Sequence, residues 1–300
     1  MRIVLLGKNG QVGWELQRSL APLGEVIALD RHSQPAADLQ EPQALADTLA
    51  SLQAEVIVNA AAYTAVDKAE TEPDLAFLVN AEAPRILAAT AQSLGALLVH
   101  YSTDYVFNGS GTQAWQENAS TDPLNSYGQS KLAGEQAIQA SGCQHLIFRT
   151  SWVYAARGQN FAKTMLKLAQ NREQLSVVAD QWGAPTSAEL IADITAHTIR
   201  QTLLQTDSCG LYHLVASGET TWFDFAQRVL SAAEQHGIVL KTPADCLQAI
   251  PSSAYPTPAQ RPLNSRLDCH KLSTTFKLNL PDWQFGVDRL LAEILPTYSA

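Results

Sequence analysis

The chain has 300 residues, 46% of them apolar and only 16% charged, with 29 acidic against 20 basic side chains and a formal net charge of −9. That balance allows a sizeable core and excludes a disordered or coiled-coil chain. No Lys/Arg cluster marks a nucleic-acid surface.

Arg2–Leu6 is apolar and β-branched, the signature of a buried strand. Gly7–Gly13 follows as a tight turn, and Val12–Leu23 carries a helical pattern. Glu25–Leu29 is a second strand that ends at Asp30. Strand, glycine turn, helix, strand and acid make a βαβ opening. A helix is predicted over Pro42–Leu52, a strand over Val56–Asn59, a helix over Asp74–Ser93 and a strand over Leu97–Tyr101. Helix Tyr127–Ser141 and strand His145–Arg149 continue the alternation. Elements alternating in this way imply an α/β fold, a Rossmann-like parallel sheet covered on both faces.

The second half is less regular. Phe161–Asn171, Ser187–Gln205, Thr221–Glu234 and Asp282–Ile294 read as helices, Leu175–Ala179 and Leu211–Val215 as strands, and Pro251–Asn264 as a proline-rich extended loop. The expected division is a dinucleotide-binding domain of 1–150 with 176–203, and a smaller, mostly C-terminal substrate-binding domain of 151–175 with 204–300. Cys143, Cys209, Cys246 and Cys269 show no CxxC or zinc spacing, so free thiols are expected. With no apolar run near the ~20 residues of a membrane span and no signal-peptide core, a cytoplasmic protein without a membrane partner is expected.

Gly7-x-x-Gly10-x-x-Gly13 lies between strand and helix, where glycines let the backbone approach a pyrophosphate and the helix N-terminus faces it. Asp30 is placed to bond the adenine-ribose hydroxyls, which favours NADH, whereas Arg31 beside it would pair with the extra phosphate of NADPH. The choice stays open.

Tyr127 and Lys131 stand four residues apart on one helix face. A nearby ammonium would lower a phenol's pKa and suit it to proton transfer. A hydroxyl from Ser102 or Thr103, at the end of a strand, would reach the same carbonyl oxygen. Thr103 is preferred, because strand alternation turns Ser102 to the other face. Asp104 would bond a sugar hydroxyl. The small residues of Asn59-Ala60-Ala61-Ala62 would let a cofactor pass closely, and Asn80 would fasten a neighbouring strand.

Together the glycine turn, Asn59-Ala-Ala-Ala-Tyr-Thr-Ala-Val-Asp67, Ser102-Thr-Asp-Tyr-Val-Phe107, Tyr127-x-x-x-Lys131, Arg149-Thr-Ser-Trp152, Gln181-Trp-Gly-Ala-Pro-Thr186 and Arg261-Pro-x-Asn-Ser-Arg266 resemble the dTDP-4-dehydrorhamnose reductase family, within the extended short-chain dehydrogenase/reductase superfamily. The resemblance implies reduction of the C4 ketone of a dTDP-linked 6-deoxy-4-keto sugar by NADPH or NADH, the last step of dTDP-L-rhamnose synthesis. It implies that Thr103 polarises the ketone, Tyr127 protonates it, and Lys131 tunes the tyrosine and holds the nicotinamide ribose. Gly10, Gln11 and Val12 would lie on the phosphates and Asp38 and Leu39 near the adenine, with Ala62, Tyr63, Thr64 and Tyr101 along the groove. Thr103, Asp104 and Trp152 would contact the sugar nucleotide. The resemblance also implies a homodimer and use of Mg²⁺, for which Glu15, Glu189 and Glu293 are the candidate ligands. Two other readings are an epimerase or dehydratase with recycled NAD⁺, and a cofactor-binding regulatory subunit without turnover.

Overall fold

The structure is a computed structural model and describes residues 1–298. Its strands include β1 (Arg2–Leu6), β2 (Glu25–Leu29), β3 (Val56–Asn59), β4 (Leu97–Thr103) and β5 (His145–Thr150). With Gly210–His213 these form a sheet in the order Gly210–His213, β5, β4, β3, β1, β2, every neighbouring pair parallel. The order reverses between β1 and β3, which is where such sheets open a crevice at their carboxyl ends.

Alternate strand residues serve opposite faces. Val4, Leu6, Ile57, Leu98 and Ile147 join one core with α2 (Pro42–Leu52) and the helices Ala83–Leu94 and Ser126–Ala140. Ile3, Leu5, Val58, Val99 and Phe148 join another with α1 (Gln11–Leu20), the Ala188–Leu204 helix and Leu272 and Phe276 of the short His270–Phe276 helix. A separate core gathers the helices Phe161–Asn171, Trp222–Gln235 and Trp283–Ile294.

Most predicted elements lie within a residue or two of their expected bounds, and four differences matter. The helix expected over Asp74–Ser93 is Pro73–Phe77 and Ala83–Leu94 joined by a π turn at Leu78–Glu82. Strand β4 runs on to Thr103, carrying Ser102 and Thr103 inside the sheet. Gly210–His213 pairs with β5 in the main sheet, although the expected division set 204–300 apart from it. Ser176–Val178 pairs instead with Gln248–Ile250, and its Val177 joins the separate core, although 176–203 was expected with the sheet.

Candidate active site

The turn after β1 is built by glycine. Gly7 has φ 85°, and a Cβ there would stand 2.8 Å from the Ala61 amide nitrogen, at the end of β3. A Cβ on Gly13 would stand 2.1 Å from the Gly7 carbonyl oxygen. The turn after β1 therefore lies directly against Ala60-Ala61, just past β3, the strand beside β1 across the crevice. Helix α1 starts after Gly10 with no side-chain cap, so its first amides face outward without a local acceptor. These features fit a pyrophosphate. Gln11 extends the turn across the molecule, accepting from Asn160 Nδ2 at 3.2 Å.

At the β2 end, Asp30 accepts from the His32 amide at 2.9 Å, from the Ser33 hydroxyl at 3.0 Å and from Asn9. Burial acts to raise its pKa, but the His32 amide, Ser33 and Lys8 outweigh it and hold the carboxyl below its usual range. Arg31 and His32 are exposed beside it, and Lys8 reaches Ser33 at 2.8 Å. An acid and a basic cluster therefore share this loop. Asp38 caps its own turn through Gln40, and Leu39 is buried in the core below. Ala62 and Thr64 are exposed, whereas Tyr63 is held by Asn80, which accepts from its amide at 2.9 Å and donates to its carbonyl at 3.0 Å. Asn80 also donates to Ser130 at 3.0 Å, so it fastens the loop after β3 to the Ser126–Ala140 helix. Tyr101 shares a 2.7 Å hydroxyl bond with Thr195.

The reactive end joins two elements. Asn125 caps the Ser126–Ala140 helix by accepting from the Gly128 amide at 2.8 Å, and Tyr127 lies in that first turn. Gly128 lets the turn come close, since a Cβ there would stand 2.3 Å from the Tyr105 carbonyl oxygen. The Thr103 hydroxyl lies beside the Tyr127 phenol and acts on it. Thr103 also donates to Asp104 Oδ1 and accepts from the Tyr105 amide, each at 3.1 Å. The Ser102 hydroxyl is buried and has no such partner. Burial pushes Asp104 up to about 6, opposed by the nearby Ser265 and Thr103 hydroxyls.

Lys131 departs from its expected placement. Its Nζ donates to the Tyr101 carbonyl at 2.6 Å and stands 3.2 Å from His100 Nε2. The side chain is 2% exposed, and burial lowers its pKa to about 8 against the opposing charge of Glu135. The expected lowering of the Tyr127 phenol by Lys131 is not what this geometry gives. Burial raises the phenol above its ordinary value, with Thr103 acting in the opposite direction and Asp104 and Tyr105 adding to the rise.

Trp152 follows β5 with φ 50° and stacks on Trp222, ring centroids 3.7 Å apart. Its indole also fills the place where a Cβ on Gly183 would be, 2.7 Å from Trp152 Cε2. The loop Pro251–Asn264 reaches back to the Tyr127 side. Arg261 pairs with Asp67 at 2.9 Å and donates to the Tyr105 hydroxyl at 3.4 Å, and the Tyr105 ring meets Tyr127 edge-on at 5.7 Å. Asp67, Tyr105, Arg261 and Trp222 had no assigned role in the sequence. Their only signal was membership of the quoted motifs, which Trp222 lacks.

The magnesium expectation is not supported. Glu189 and Glu293 both act on the Glu15 carboxyl, so the three share one neighbourhood. Yet Glu189 pairs with Arg289 at 2.8 Å and Glu15 with Arg18 at 3.6 Å. Among the described residues no group of three His, Cys, Asp or Glu is arranged to hold a metal ion. Nor is any helix among them long and apolar enough to cross a membrane.

The family model described as "RmlD substrate binding domain" matches residues 1–295. The chain is 56% identical over 298 residues to the dTDP-4-dehydrorhamnose reductase of Escherichia coli (strain K12), with 99% of each chain covered. It is 46% identical to that of Burkholderia thailandensis, covering 98% of this chain and 99% of the relative. The crystal structure of dTDP-4-dehydrorhamnose reductase from Bacillus anthracis str. Ames in complex with NADP has a TM-score of 0.86 at 34% identity, covering 97% of this chain and 99% of that one.

Proposed function

The chain belongs to the dTDP-4-dehydrorhamnose reductase family, and on that premise we propose how it carries out the family's reaction, reduction of the C4 ketone of dTDP-4-dehydro-β-L-rhamnose to dTDP-L-rhamnose with a nicotinamide cofactor. The observation that carries the reading is the neighbouring hydroxyls of Thr103 and Tyr127, set at the end of β4 on the side of the crevice.

Bound nicotinamide supplies the hydride to C4. The chain's own residues handle the oxygen. As negative charge develops on the ketone oxygen, Thr103 donates a hydrogen bond to it and Tyr127 delivers the proton. A phenol raised by its surroundings keeps that proton at neutral pH, so it is poised as an acid in the reducing direction. Thr103 turns its one hydroxyl proton from Asp104 Oδ1 to the ketone, Asp104 bonds the sugar, and Trp152, braced by Trp222, contacts the sugar nucleotide. The turn Gly7–Gly13, with Gln11 and Val12, seats the pyrophosphate, and Asp30 the adenine ribose. Lys8 and Arg31 supply positive charge for a 2′-phosphate, so both NADPH and NADH are accepted. Lys131 holds the nicotinamide ribose.

We further propose a homodimer, which sedimentation analysis reads directly, and a cytoplasmic setting, in keeping with four free cysteines. The test of function is to supply the purified chain with the dTDP-4-keto-6-deoxy sugar and NADPH or NADH. Nicotinamide oxidation matched by appearance of dTDP-L-rhamnose is expected. Product formed without added NAD(P)H, from protein carrying tightly held NAD⁺, would instead indicate an epimerase or dehydratase.

A further inference from the structure

Behind the site lies a buried polar chain that the proposed chemistry does not use. Asn59, His100 and Lys131 are each 2% exposed or less, on β3, β4 and the Ser126–Ala140 helix. Asn59 Oδ1 accepts from the Ala61 amide at 3.2 Å. A backbone N–H can only donate, so the Asn59 amide is fixed with Nδ2 toward His100 Nδ1, 3.1 Å away. Nδ2 carries hydrogens, so Nδ1 must be the acceptor. A neutral imidazole with Nδ1 as acceptor carries its proton on Nε2. That N–H points at Lys131 Nζ, 3.2 Å away.

An ammonium has three donors and no acceptor, so it cannot answer an Nε2–H; a neutral amine can. Lys131 can accept from His100 and still donate to the Tyr101 carbonyl at 2.6 Å. We propose that Asn59 and His100 are positioning residues that hold Lys131 as a neutral amine against β4, so that charging the lysine requires it to turn away from His100. The other charges around it are consistent with this seat. Glu135, on the lysine's own helix, favours the ammonium, but it is engaged by Arg149 of β5 at 2.6 Å. His100 is itself held neutral by burial. Tyr127, one turn earlier, keeps its proton and adds no charge.

The inference has one consequence for the proposed reductase, and only that consequence rests on the functional reading. A lysine that leaves His100 to hold the nicotinamide ribose takes up a proton as it does so.

The lock is tested on the full-length protein without cofactor by ¹⁵N–¹H spectra of the histidine rings, the His100 signal being the one lost in His100→Gln. The expected result is the Nε2–H tautomer, unchanged from about pH 6 to about pH 9. Asn59→Asp presents only acceptors, so it should convert the ring to the Nδ1–H tautomer and leave Nε2 to accept from a charged lysine. A purely structural role for Asn59 would not move that signal. An Nδ1–H ring in the wild type, or one that gains a second proton in this range, overturns the proposal. Calorimetry of NADH binding in buffers of different ionisation enthalpy tests the consequence. At about pH 9, above the lowered value of Lys131, the wild type should take up as much as about one proton per NADH, and Asn59→Asp clearly less. Binding without proton uptake in the wild type overturns the coupling. Absence of NADH binding is a failure of the cofactor reading, and the ring spectra still decide the lock.

Discussion

Thr103, the last residue of a sheet strand, and Tyr127, in the first turn of a helix that begins after a long loop, have neighbouring hydroxyls. Two donors thus converge where a carbonyl oxygen would gain charge. Replacing Thr103 by Val keeps the shape and removes one donor. Turnover should fall about 100-fold, and Thr103→Ser should restore most of it. Steady-state kinetics on the keto sugar check this, and an unaffected Thr103→Val enzyme would contradict the role.

Asp104 links function to stability. Its folded pKa of about 6 lies above the ordinary 3.8, so the folded chain holds this proton more tightly than the unfolded one. Stability from this residue is therefore present at low pH and lost as pH rises through about 6. Asp104→Asn should be more stable than wild type at about pH 8, by an amount of order 1–3 kcal/mol. The gain should vanish below about pH 4, and turnover should drop. Urea denaturation across pH measures the first part. A variant no more stable at alkaline pH contradicts it.

Gly13 has no room for a side chain, its added Cβ falling 2.1 Å from the Gly7 carbonyl oxygen. Gly13→Ala must displace the backbone of the turn. Cofactor affinity should weaken by about tenfold or more, a loss of ~1.4 kcal/mol or greater, while the sheet stays folded. Fluorescence titration with NADPH reads the affinity and circular dichroism the fold. An unchanged Kd would place the pyrophosphate elsewhere.

Arg149 and Glu135 form a two-pronged pair at 2.9 and 2.6 Å, the side chains 4% and 1% exposed. Arg149→Met leaves a buried carboxylate without its partner, at a cost of about 3–5 kcal/mol. Denaturant midpoints give the value, and a loss below about 1 kcal/mol would mean that the pair is solvated.

The sheet and the glycine turn were legible because both are written locally, in short β-branched runs and in a turn only glycine can make. Tyr127 and Lys131 were legible as a spacing, but spacing says only that two side chains share a helix face. It did not show that Lys131 bends to the strand carbonyl of Tyr101 and away from the phenol. The His100 chain draws its members from two strands and a helix, and the Arg261–Asp67 pair joins positions 194 apart. Such contacts exist only once the fold has formed. The same is true of Gly210–His213, whose place beside β5 depends on a long-range pairing. The π turn at Leu78–Glu82 has no side-chain pattern of its own, yet it lies where Asn80 turns inward to clamp Tyr63 and Ser130.

The most direct test is single-turnover NADPH oxidation on dTDP-4-dehydro-β-L-rhamnose by Tyr127→Phe, with NADPH binding measured on the same preparation. Removal of the phenolic proton should slow the chemical step by about 10²–10⁴-fold while binding is kept. A Tyr127→Phe enzyme that reduces the sugar at the wild-type rate would show that the proton comes from another group.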